Sequence, residues 1–430
     1  MDRLTGLLGV ATLLGAALLL SKDRAGIRWR TVGAGLLLQF ALAFLLLRFA
    51  PVVAAFDLLA AAVAKVISFA DEGTRFLFGS LAEPSGAWGF VFAVKVLPII
   101  VFFAALMGVL YHLGVMQRLI ALLALLLRRT LGVSGVEAMS AAANVFVGQT
   151  EAPLTVRPYI ARMTRSQLMC VMTGGFATIA GSVMAAYISM LGGDDPAART
   201  LVAKHFMTAC VMSAPAAILF AKIMLPERDE PVDELPGARA APPRTTSNAL
   251  DAAAEGATDG LRLALNVGAM LVAFVSLIAL VNWPLAALSE LELSWLPIAS
   301  WRTELGLPVL TFQNILGAIL QPLAWLMGGG AESAKLGAWM GEAVIATEFV
   351  AYADLAGAIA AGEVAPRTQL IATFALCGFA NLPSIAIQIG GLGAMAPERR
   401  ADLASLAPRA MIAGAFACWT TGAVAGVLAP

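Results

Sequence analysis

Phe146-Val-Gly-Gln149-Thr150-Glu151-Ala-Pro153-Leu-Thr-Val-Arg157-Pro158-Tyr159 sets an amide, a hydroxyl and a carboxylate on consecutive residues of a chain that otherwise reads as membrane from end to end. A carboxylate at membrane depth is expensive, so it marks a functional site by default. Working outward, Thr347-Glu348-Phe349-Val-Ala-Tyr352 supplies a second such carboxylate, and Phe379-Ala-Asn381-Leu-Pro383-Ser384 another amide and hydroxyl. Hydrogen-bonding groups of this kind suit a small polyhydroxylated solute, and their setting implies a transporter.

The 430 residues are 60% hydrophobic and only 13% charged, far more apolar than a soluble globular domain. The net charge is zero, which leaves no electrostatic footprint for nucleic acid. Cys170, Cys210, Cys377 and Cys418 sit in apolar runs without metal-ligand spacing and read as packed, inert thiols. His112 and His205 lie near segment ends and read as interfacial. Leu4–Leu20 lacks a small-x-small cleavage pattern and is followed closely by another apolar run, so it reads as a first membrane helix rather than a leader.

A span needs about 20 mostly apolar residues. Eight stretches qualify, at 4–21, 31–50, 88–112, 167–191, 206–225, 262–282, 368–390 and 409–428. Lys22, Arg24, Arg28 and Arg30 follow the first; Arg118, Arg128, Arg129, Arg162 and Arg165 come later, and Arg399, Arg400 and Arg409 precede the last. All fall on one side if both termini face the other, which by the positive-inside rule puts the basic loops in the cytoplasm and the termini outside. Trp29, Trp88, Trp283, Trp295 and Trp301 read as interfacial anchors. Residues 226–258 form a polar cytoplasmic linker, its stretch 226–250 expected to be poorly ordered.

A repeat emerges from this map. A span (88–112), an amphipathic in-plane helix (116–131), the Gln149 segment and two spans are followed by a span (262–282), a connecting helix (308–328), the Glu348 segment and two spans. One unit starts outside and the other inside, so the units are inverted, a common secondary-transporter architecture. The polar segments at 136–163 and 333–362 read as re-entrant hairpins, the first interrupted by Pro153 and Pro158. Residues 173–183 and 378–384 read as broken spans, the second opened by Pro383. The expected fold is therefore an all-α polytopic membrane protein with eight transmembrane helices, two re-entrant hairpins in an inverted repeat, and interfacial helices. Its divisions are 1–131 (scaffold spans and in-plane helix), 132–225 (first transport unit), 226–258 (linker), 259–328 (scaffold span and connecting helix) and 329–430 (second transport unit).

Four segments closely resemble the concentrative nucleoside transporter family, in its shorter bacterial form. They are Gly148-Gln149-Thr150-Glu151-Ala152-Pro153-Leu154, Gly174-Gly175-Phe176-Ala177-Thr178-Ile179-Ala180-Gly181-Ser182, Glu348-Phe349-Val350-Ala351-Tyr352, and Gly378-Phe379-Ala380-Asn381 with Ser384. Agreement extends to Pro322-Leu-Ala-Trp-Leu-Met-Gly328 and Ile387-Gln-Ile-Gly-Gly391. The family usually carries a Lys and an Asn where this chain has Ala343 and Thr347, and a small hydroxyl residue is expected where Pro383 stands.

The resemblance implies that Gln149 and Glu151, assisted by Thr150, face a nucleobase, and that Glu348, Asn381 and Ser384 hold the ribose with Phe379 packing nearby. An amide both donates and accepts, matching a pyrimidine edge; a carboxylate makes strong hydrogen bonds to vicinal hydroxyls. Either carboxylate could instead pair with Arg157. For a sodium ion, Asn144 and Thr178 offer side-chain oxygens, and Val147, Thr178 and Ile179 offer carbonyls. Lys95 either pairs with a carboxylate or snorkels, and Asp354 is equally open. The resemblance further implies a homotrimer in the bacterial inner membrane that takes up nucleosides with sodium, with lipid around it and no cofactor. The alternatives are a proton-coupled nucleoside or nucleobase carrier of the same fold, or an enzyme using Glu151 and Glu348. No nucleophile elbow, metal cluster or phosphate loop supports the enzyme.

Overall fold

The computed structural model describes residues 2–82, 91–234, 246–293, 296–304 and 309–428. Its helices are α1 (Asp2–Leu19), α2 (Trp29–Leu47), α3 (Ala50–Phe78), α4 (Phe92–Lys95), α5 (Leu97–His112), α6 (Val115–Leu131), α7 (Gly135–Asn144), α8 (Arg165–Phe176) and α9 (Gly181–Gly192), then α10 (Pro196–Met224), α11 (Ala249–Ser289), α12 (Ile298–Glu304), α13 (Phe312–Ala324), α14 (Ser333–Ile345), α15 (Glu348–Ala360), α16 (Pro366–Ala375), α17 (Leu382–Met395) and α18 (Arg400–Leu428). A 3-10 segment, Ala152–Arg162, follows α7. A two-residue antiparallel pairing of Glu292–Leu293 with Leu296–Pro297 is the one strand contact among the described residues.

The expected interruptions are present. Hairpin 1 is α7, a tip at 145–151 and the 3-10 segment; hairpin 2 is α14, a tip at Ala346-Thr347, and α15. The spans expected at 167–191 and 368–390 are each two short helices, α8–α9 and α16–α17. Local chemistry starts each piece. Thr164 and Gln167 cap α8 reciprocally, each side chain accepting from the other's backbone N–H at 3.1 Å. The Asn381 side chain caps α17, accepting from Ser384 N at 2.8 Å. Pro383 therefore sits in the first turn of α17, where a missing N–H costs nothing. It begins a helix rather than breaking one.

Equivalent helices of the two units run in opposite directions. Along α5 and α11, Gly108 abuts Ala252 while Val101 abuts Gly260, so the pair is antiparallel. The contacts are small on both sides: a Cβ on Gly256 would lie 2.6 Å from Ala104 O, and one on Gly260 would lie 2.7 Å from Ala104 Cβ. Small residues every fourth position let two backbones approach closely in lipid. Helices α10 and α18 are likewise antiparallel, with Ser213 beside Thr421 and Phe220 beside Phe416.

Seven helical stretches among the described residues are long and apolar enough to cross a membrane: Trp29–Leu47, Ala50–Ala82, Phe92–His112, Arg165–Gly192, Pro196–Met224, Ala249–Ser289 and Pro397–Leu428. The second was not among the expected spans. Its partners show how it lies: Asp57 pairs with Lys204 at 2.7 Å and Asp71 with Arg199 at 2.9 Å. The residue later on α3 pairs with the one earlier on α10, so the two helices run in opposite senses. The stretch 4–21 is a shorter apolar helix, Thr5–Leu19.

Burial separates an inner bundle from an outer shell. In the most apolar part of α8–α9 and of α10, 89% of residues are buried, against 11% for α11. Leu58, Phe76, Val272 and Trp283 point outward, as lipid-facing residues do. Trp29 is exposed at the start of α2, whereas Trp283 lies within α11 because that helix runs past residue 282. Trp88, Trp295, the side chain of Trp301 and residues 235–245 of the linker lie outside the described residues. The rest of the linker is not loose. Val232 is bracketed by the Gln167 amide, Asp233 pairs with Arg128, and residues from Ala249 onward are already α11.

The basic connections gather on one face of the molecule. Asp23 pairs with Arg228, Arg165 with Asp402 at 2.5 Å, and Arg399 donates to Met163 O at 2.7 Å. The Arg228 guanidinium holds the Asp23 carboxyl below the usual carboxylate range.

Candidate functional site

Two hairpin tips and two helix breaks meet in the middle of the bundle. The tip of hairpin 1 rests on the α8–α9 break, with Gly181 N donating to Phe146 O at 3.2 Å. The two breaks join each other where Phe379 N donates to Thr178 O at 3.3 Å. Glycine permits these approaches: a Cβ on Gly378 would lie 2.7 Å from Phe176 O.

A cavity of about 440 Å³ opens between these pieces, and Gln149, Thr150, Glu151, Glu348, Phe379, Asn381 and Ser384 all line it. All seven residues expected to bind the solute are thus brought together, from three separate segments. Its volume is that of a small-molecule site. Glu151 is exposed to the cavity, Thr150 and Phe379 are half-buried, and the other four are buried.

Glu348 opens α15, where the positive end of the helix favours a carboxylate. Its Oε1 accepts from the Tyr187 hydroxyl at 2.8 Å and its Oε2 from Asn381 Nδ2 at 2.7 Å. Tyr187 is itself fixed by ring contacts with Phe349 and Tyr352, both at 4.5 Å. The Glu151 carboxylate accepts from Gly148 N at 2.6 Å and closes the tip of hairpin 1 on itself. Arg157 is exposed, and no ion pair to either carboxylate occurs among the described residues.

Gln149 links the two halves. Its Nε2 donates to Ser384 Oγ at 3.1 Å, and its Oε1 accepts from Gln388 Nε2 at 3.0 Å. Gln388 Nε2 also donates to Met172 O at 3.0 Å, which settles how the Gln149 amide is turned. Gln388 and Tyr187 had no expected site role, nor had Asn266, which enters the cavity from α11. A polar Asn266 in the apolar span 262–282 was the available signal. Tyr187 carried none, because a tyrosine in an apolar helix reads as packing.

The residues expected to hold a cation lie beside the cavity. Asn144, Val147, Thr178 and Ile179 are all buried. Asn144 Nδ2 donates to Ser140 O at 2.9 Å, while its Oδ1 is buried without a partner. An orphaned buried acceptor is costly unless something positive meets it. Thr178 Oγ1 donates to Gly174 O at 3.0 Å, keeping its lone pairs available. The Thr178 carbonyl already accepts from Phe379 N, so it has one lone pair left to offer. Neutral oxygens of this kind suit a hard monovalent cation.

Residues 205–426 match the family described as Na+ dependent nucleoside transporter C-terminus, residues 8–81 its N-terminal counterpart, and residues 93–194 a family described as nucleoside recognition. An uncharacterized transporter of Haemophilus influenzae is 45% identical over 99% of this chain and 98% of its own length. Sodium/nucleoside cotransporter 1 of Mus musculus is 37% identical over 99% of this chain, which spans 64% of that longer protein. The solved structure of CNTnw in an inward-facing substrate-bound state superposes with a TM-score of 0.88 at 42% identity, covering 100% of this chain and 98% of that one. With its hairpins, its breaks and its motifs in common with these proteins, the chain belongs to the concentrative, Na+-dependent nucleoside transporter family, whose members are carriers and not enzymes.

Proposed function

We propose that this chain takes up nucleosides across the bacterial inner membrane, driven by an inward sodium gradient. The observation that carries this reading is the cavity between the hairpin tips, onto which one carboxylate with two fixed donors, two amides and two hydroxyls converge. Glu348, with its remaining lone pairs, accepts from the vicinal ribose hydroxyls, and Asn381 and Ser384 complete the sugar site. Gln149, Thr150 and Glu151 meet the base, and Phe379 packs against the solute. Sodium at Asn144, Val147, Thr178 and Ile179 orders the tip of hairpin 1 and so turns Gln149 toward the base. Differential affinity of this kind is what coupling requires.

The hairpins and broken helices form the moving part and the outer shell forms the scaffold of a homotrimer. Both termini lie outside, with the gathered basic loops in the cytoplasm.

Radiolabelled uridine uptake into proteoliposomes tests this reading. Accumulation is expected under an inward sodium gradient and not under an inward proton gradient alone. Proton-driven accumulation would move coupling to a carboxyl group; no accumulation under either gradient would overturn the uridine assignment.

A further inference from the structure

Asn381, Ser384 and Gln388 are spaced three and four residues apart, so they form a polar stripe along one face of α17. The first two line the nucleoside cavity, whereas Gln388 is 1% exposed and lies behind it. A buried amide is costly without partners. Gln388 Nε2 has two, donating to Met172 O on α8 and to Gln149 Oε1 at the tip of hairpin 1, both at 3.0 Å. Gly175 makes room for this contact, since a Cβ there would lie 2.7 Å from Gln388 Nε2 and 2.9 Å from Gln149 Cβ.

A backbone carbonyl can only accept, so the Met172 oxygen fixes which end of the Gln388 amide faces it. Turned the other way, Gln388 would set its own oxygen against that carbonyl. The rest follows in order. The Gln388 amino group grips the Gln149 oxygen, which leaves the Gln149 amino group on the side of Ser384 and the cavity. One of its hydrogens goes to Ser384 Oγ at 3.1 Å, and the other remains for the solute.

A glutamine without such a clamp can present either end, and so meets a donor or an acceptor alike. We propose that Gln388 is a positioning residue for substrate selection: it holds Gln149 as a hydrogen-bond donor, and so requires a carbonyl oxygen on the base. This step rests on Gln149 facing the base, as proposed above.

Equilibrium binding to the purified full-length protein, with sodium present, tests the assignment. The ligands are uridine, 2-thiouridine and 4-thiouridine, the last two carrying sulfur, a weak acceptor, in place of one base carbonyl oxygen. The wild type should bind one of the two analogues about 3- to 10-fold more weakly than uridine, the span of a neutral hydrogen bond. In Gln388→Met, similar in size but without the amino group, that preference should shrink to less than about twofold. A residue that merely fills space would weaken all three ligands by one factor and leave their order unchanged. Gln388→Leu supplies the same comparison should the first variant fold poorly. A wild type that binds both analogues as tightly as uridine, or a variant that keeps the wild-type preference, would overturn the proposal. Failure of the wild type to bind uridine at all would overturn the nucleoside reading and this one with it, and is seen before any variant is compared.

Discussion

Glu348 shows what a single buried charge demands. Its two oxygens have one donor each, Tyr187 and Asn381, and both donors are themselves immobilised. Asn381 does two jobs, because its Oδ1 also caps α17 at Ser384 N. Tyr187→Phe removes one hydrogen bond to a charged group, worth about 1.5–3 kcal/mol, so uridine affinity should drop about tenfold or more. Asn381→Ala removes that much and the cap besides, so its loss should exceed that of Tyr187→Phe. Equilibrium uridine binding to both purified variants checks the order; equal losses would mean the cap contributes nothing. Polar residues stranded in apolar runs made Gln149, Glu151, Glu348 and Asn381 legible before any coordinates. Their partners were not, since Tyr187 looks like packing until the fold brings α9 against hairpin 2.

The elements follow the same division. Hairpins and breaks were legible because prolines, glycines and polar residues interrupt otherwise apolar segments. Helix α3 was not, because Asp57, Lys65, Asp71 and Glu72 punctuate it, and the fold neutralises two of these through α10. The start of α11 was misplaced for a related reason: residues 249–258 are polar enough to read as linker, yet Ala252 and Gly256 pack on Gly108 and Ala104. That interface gives a test. Gly260→Leu must displace backbone, since even a Cβ there lies 2.8 Å from Val101 Cα. Overpacking of this kind costs about 1–3 kcal/mol, and thermal unfolding in detergent should start at a lower temperature. Gly357→Ala, which meets nothing within 4 Å, should leave it unchanged. Equal behaviour of the two variants would argue against the α5–α11 packing described here.

Across the whole molecule, a densely buried bundle carries the breaks and hairpin 1, while an outer shell turns its apolar side chains outward. The cavity sits where the two meet, with Asn266 and Met270 of α11 on one wall and the hairpin tips on the other. A ligand in that position touches both parts, which is the geometry that alternating access requires. Antiparallel pairing of α5 with α11 and of α10 with α18 gives the two units opposite sense. On the function proposed above, sodium at the tip of hairpin 1 and the nucleoside beside it are energetically linked. Linkage is reciprocal, so raising sodium must then tighten uridine binding. The most direct measurement is uridine affinity by calorimetry at several sodium concentrations, for the wild type and for Asn144→Ala. Affinity that rises with sodium in the wild type and no longer responds to it in Asn144→Ala is the predicted result. A variant whose uridine affinity still climbs with sodium as the wild type's does would contradict it.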